Sequence, residues 1–174
     1  MTETTPPSTP PAAPGDEMRA MLTAGAQRDG ALNRRGAVHL LTFTSIPAWR
    51  GFPALVDVLT VPVMVDAGSD GPWHLDGADM QVAFVRNWAT LAEDIRAAHL
   101  SASARRLLTL AVSMATGGPV DLRENLASLG HAHARRVLEA VAIATGADEF
   151  YTLTATPALF ELEARRAELA GGTR

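Results

Sequence analysis

The sequence predicts a mainly α fold, a compact bundle of four to six helices with a small β-hairpin near residues 61–75. Three observations lead there. Between Ser101 and Gly146 apolar side chains recur at helical spacing over more than one face, the pattern of helices buried between neighbours. Capping and stopping residues bracket these runs, with Ser101, Asp121 and Thr156 at starts and Gly117-Gly118-Pro119, Gly130 and Gly146 at ends. The clearest turn is Asp66-Ala67-Gly68-Ser69-Asp70-Gly71-Pro72, placed to close a hairpin.

Residues 1–15 are rich in threonine and proline and hold five of the eleven prolines. They predict a disordered, partly polyproline-like tail ahead of a single mostly helical domain over 16–174. The tail has neither the basic start nor the apolar run of a secretory signal. Asp16 to Arg35 reads as a helix with Met18, Met21 and Leu22 on one side, and Gly25 and Gly30 predict that it breaks into one or two short pieces. Arg34-Arg35 before an apolar run has the outline of a twin-arginine signal, but it stands too late, and Pro47 and Arg50 interrupt the apolar run.

Val38 to Ser45 fits a strand as well as a helix, because β-branched and aromatic residues alternate through it. Ile46 to Pro53 is rich in turn formers, with Trp49 and Phe52 as anchors to the core. Ala54 to Leu59 allows one or two helical turns. Val61 to Val65 reads as an edge strand because Pro62 cannot donate to a ladder, and Trp73-His74-Leu75 as its return. From Asp76 to about His99 the spacing of Met80, Phe84, Trp88, Leu91 and Ile95 predicts the longest helix, packed antiparallel to the next.

Ser101 or Ser103 opens the following helix, whose stripes are Leu107, Leu110, Ala111 and Met114, with Leu108 and Val112 beside them. Asp121-Leu122-Arg123-Glu124 has the form of a capping box for a short helix. A third helix runs from His131 to Gly146, with Val137 and Val141 one turn apart and Arg135, Arg136 and Glu139 on its wet side. Pro157 sits at the first position of a last helix striped by Leu159, Leu162 and Leu169.

Composition removes several function classes. The absence of cysteine excludes disulfides, thiolate catalysis and thiolate-held metals. All fifteen basic residues are arginine, so lysine Schiff bases and a Walker-type lysine are excluded too. A net charge of -4 lacks the basic footprint of a dedicated nucleic-acid binder. No run is long and unbroken enough to span a bilayer, and no cofactor motif is present.

Three constellations remain. Asp66, Asp70, His74 and Asp79 could gather oxygen and nitrogen ligands around a metal, which would suit a metal-dependent hydrolase; turn formation and helix capping account for the same aspartates. The EF-hand pattern fails at Gly68 and Gly77. His131 and His133 would share a face on a strand but diverge on a helix. Residues 120–145 have the outline of a helix-turn-helix that would place Arg135 and Arg136 near base edges, giving a DNA-binding regulator; a plain bundle gives the same pattern. The expected function is therefore a non-enzymatic, cytoplasmic helical interaction or assembly module, with a copy of itself or another protein as partner, no cofactor and no membrane.

Overall fold

The computed structural model describes residues 15–65, 74–127 and 129–171. It is mainly helical with one small two-stranded antiparallel sheet. Helix α1 spans Asp16–Asp29 and α2 spans Leu32–Thr42, followed by short 3-10 turns at Ile46–Ala48 and Phe52–Leu55. Strands β1 (Val56–Val65) and β2 (His74–Val85) form the sheet. Then come α3 (Leu91–Asp94), α4 (Ala102–Thr116), α5 (Leu122–Leu126), α6 (His131–Thr145) and α7 (Pro157–Gly171). That makes seven α-helices among the described residues, more than the four to six expected, because α3 and α5 are single short turns that the hydrophobic pattern does not separate. The tail expected over 1–15 lies, except for Gly15, outside the described residues.

The break between α1 and α2 falls at Gly30, whose φ of 71° is left-handed and comfortable only for glycine. Of the ambiguous run Val38 to Ser45, the part up to Thr42 is helix and the rest is turn. In α2, Gly36, Ala37, Val38, Leu40 and Leu41 are all buried, so this short helix is apolar over most of its circumference and sits between neighbours. It is shared by two packed clusters. One joins Met18 and Leu22 of α1, Val38 and Leu41 of α2, Phe52, Ala83 of β2, Leu91, Ile95 and Leu108 of α4. The other joins Ala37 and Leu40 of α2 to Leu107, Leu110 and Ala111 of α4 and Val137 and Ala140 of α6. Helices α4 and α6 thus meet the core chiefly through α2 rather than as a hairpin of their own.

The main correction concerns residues 76–99. They are not one long helix: β2 continues to Val85, and only Leu91–Asp94 is helical. The stripe Met80, Phe84, Trp88 matches a helix, yet Met80, Val82 and Phe84 also alternate with period two. A register running from Val56 opposite Val85 to Pro62 opposite Asp79 pairs this backbone with β1. Branched Val82 and Val85 then suit a pleated surface better than a helix. The hairpin is correspondingly longer than the one expected at 61–75.

Of the boundary signals, Gly117 and Gly146 close α4 and α6 in the left-handed conformation, while Gly130, expected to end the short helix, instead precedes α6, α5 closing at Ala127. Ser101 Oγ accepts from the Ala104 amide at 3.1 Å, and Asp121 Oδ1 accepts from the Glu124 amide at 3.1 Å. Among the described residues no helix is long and apolar enough to cross a membrane.

Candidate functional site

Helix α6 carries a polar cluster and two exposed large apolar side chains. Its inner side buries Val137 and Ala140 against α2 and α4. Beside that buried face, its flank leaves Leu138 58% and Val141 47% exposed, although both have the spacing of core residues. A groove of about 490 Å³ runs beside Leu138, bounded by Ala134, His131 and Arg135 of α6 and by Leu153, Leu159 and Leu162 leading into and along α7. Helix α7 itself has no buried side chain among those described, and its Phe160 is 61% exposed.

On the α2 side of α6 lies a polar cluster. Glu139 accepts from Arg135 Nε at 2.7 Å and from Arg136 Nη1 at 3.0 Å. His39 of α2 brings Nε2 to 2.9 Å from Glu139 Oε2 and 3.0 Å from Arg136 Nη1. A proton on Nε2 donates to Glu139; a bare Nε2 accepts from Arg136. The Arg136 guanidinium lies 4.8 Å from the centre of the Phe43 ring, a cation–π distance, and His133 meets Phe43 edge-on at 5.5 Å. Burial pushes the Glu139 carboxyl up, but the hydrogen bonds from His39, Arg135 and Arg136 and the Arg136 charge outweigh it and hold the carboxyl at about 2. Burial lowers His39 below its ordinary value, helped by the Arg136 charge and opposed by Glu139.

Arg135 and Arg136, the residues placed at base edges in the DNA reading, therefore both rest on Glu139, and Arg136 also lies over Phe43. The outline of that reading, a short α5, a turn and a longer α6, is present. Of the four metal candidates, Asp66 and Asp70 lie outside the described residues. His74 pairs with Val65 at the far end of the ribbon, while Asp79 is an exposed strand residue opposite Pro62. Among the described residues no three His, Asp or Glu side chains gather closely enough to hold a metal. His131 and His133 diverge at the start of α6, with only His133 reaching Phe43.

Sequence reasoning missed His39, Phe43 and the central part of Glu139. His39 stands inside an apolar run, and Glu139 is spaced one turn from both arginines. Those are local hints; the pairing itself joins residues 100 positions apart. Compared with known proteins, the chain matches no family model, and no curated protein and no solved structure matches it.

Proposed function

We propose that the chain is a non-enzymatic helical assembly module, residues 16–174 acting as one bundle that associates with a second copy of itself through the outer side of α6 and α7. The observation that supports this most is the second apolar side of α6. Ala134, Leu138 and Val141 recur at four and three residues, and the two large members of that stripe, Leu138 and Val141, stay wet. Water-exposed apolar area grouped on one helix face marks association surfaces. Each large side chain fully removed from water is worth about 1.5–3 kcal/mol.

A copy of the same chain is the partner because α7 displays both charge signs. Glu161 and Glu168 flank Arg165 and Arg166 along an exposed helix, so an antiparallel copy can set unlike charges against each other across a two-fold axis. The polar cluster beneath, Glu139 with His39 and both arginines, fixes the rotation of α6 on α2 and hence which side faces out. The nucleic-acid reading gains less, since its two arginines are partly neutralised by Glu139 and the chain is acidic.

The test is mass in solution by light scattering across a concentration series. The expected result is a dimer that Val141→Glu returns to monomer without loss of helical circular dichroism. A strict monomer at every concentration ends this reading.

A further inference from the structure

We propose that the groove between α6 and the start of α7 binds one aliphatic carboxylate, with its chain along Leu138, Leu153, Leu159 and Leu162 and its carboxylate at Arg135 and His131. This goes beyond the assembly reading and shares Leu138 with it, so a bound chain and a second copy compete for that side chain.

Size and lining come first. About 490 Å³ lies within the range of roughly 300–1,000 Å³ typical of small-molecule sites. Four leucines from two separate segments face one another across it, and a trough with apolar walls on both sides accepts a narrow apolar chain. The second observation is the polar end of the groove. His131 and Arg135 stand one turn apart on α6, on the same stripe as Leu138, and with two arginines against the one carboxylate of Glu139 the cluster keeps one net positive charge. Glu139 holds Arg135 by Nε alone, at 2.7 Å. That single bond orients the guanidinium and leaves its two terminal nitrogens without a partner among the described residues. A guanidinium so held presents paired N–H donors, the geometry that a carboxylate fills. Helix α6 also starts at Gly130 with no side-chain cap and no acidic residue in its first turn, so the positive end of its dipole is not offset there.

Together these features select an occupant. An alkane would leave the Arg135 donors unused, and a cationic amphiphile would meet a cation. A small polar anion would not use the leucines. A chain ending in a carboxylate satisfies both parts of the groove. Such chains exist free in solution and as parts of lipids, and a groove bounded on two sides takes a free single chain.

The experiment is calorimetric titration of the full chain with octanoate, decanoate and dodecanoate, each below its micellar concentration. The proposal expects one ligand per chain and affinity rising about fourfold per methylene. Dodecyltrimethylammonium should bind at least about tenfold more weakly, and Arg135→Gln should weaken dodecanoate by about tenfold while keeping the dependence on chain length. Leu138→Asp should abolish saturable binding. The proposal is overturned by equal binding of the cationic amphiphile, by many ligands per chain, by no binding, or by co-sedimentation with phosphatidylglycerol vesicles in place of one-to-one dodecanoate binding. Stoichiometry is read per chain, so a monomer that binds one dodecanoate upholds this site while ending the assembly reading, and a dimer that binds none does the reverse.

Discussion

Glu139 is the residue on which the α2–α6 contact is most sensitive to pH. Its carboxyl is held at about 2 against an ordinary value of 4.5. A depressed carboxyl contributes stability above its unfolded value and loses it as the pH falls from 4.5 toward 2. His39 adds a second, milder window. Its folded value lies below 6.5, so the unfolded chain takes up the proton first, and stability present above pH 6.5 declines as the pH drops beneath it. Melting temperatures between about pH 8 and about pH 3 should therefore fall in two stages. His39→Gln should flatten the first stage and Glu139→Gln the second. At neutral pH Glu139→Gln should cost roughly 1–2 kcal/mol, the more exposed Arg135 keeping this below the figure for a fully buried pair. An unchanged profile in both variants would refute this account of the cluster. At this scale the sequence was partly legible. Arg135, Arg136 and Glu139 stand out as neighbours on one helix, but nothing local says that His39 closes the cluster from another helix.

Element by element, close approach decides the packing. A methyl group added at Gly36 would lie 2.5 Å from the Ala140 carbonyl oxygen and 2.6 Å from Met114 Sδ, so α2 can touch α6 only because this side chain is missing. Gly36→Ala should consequently destabilise by about 1–3 kcal/mol in chemical denaturation, although alanine is the better helix former; a gain in stability would show that α6 yields. The same logic holds at Gly25, where an added methyl would collide with the Ala83 carbonyl of β2. Gly25 read in the sequence only as a weak point of a helix, and Gly36 carried no signal at all. The ribbon shows another case of two-sided information. Its outer strand is rich in valine, which invites pairing with foreign strands. Yet Pro62 offers no N–H, its carbonyl accepts from Arg28 Nη2 at 2.8 Å, and the Val56 carbonyl accepts from Arg86 Nη2 at 3.2 Å. Pro62 was legible as an edge marker. The strand identity of residues 76–85 was not, because Met80, Val82, Phe84 and Trp88 satisfy both periods and only the partner strand chooses between them.

For the whole molecule, the two packed clusters meet at α2 while α7 stands at the margin. Fold class, the caps at Ser101 and Asp121 and the extents of α4, α6 and α7 arise from local chemistry and were readable. The hub was not: the later part of α2, from Val38, fits a strand as well as a helix, and the element becomes central only when α1, α4 and α6 assemble around it. Removing residues 150–174 should therefore lower the melting temperature by less than about 4 °C, the equivalent of about 1 kcal/mol for a chain of this size, while reducing a dimer to monomer by light scattering; a collapse in stability would mean that α7 belongs to the core. The thin attachment of α7 has one more consequence. A lone helix of fifteen residues is marginal in water, so in a dilute, ligand-free sample its amides should trade hydrogen for deuterium faster than those of the buried α2. Raising the protein concentration should slow α7 alone, turning one helix of the chain into a gauge of how much of the population has found its companion.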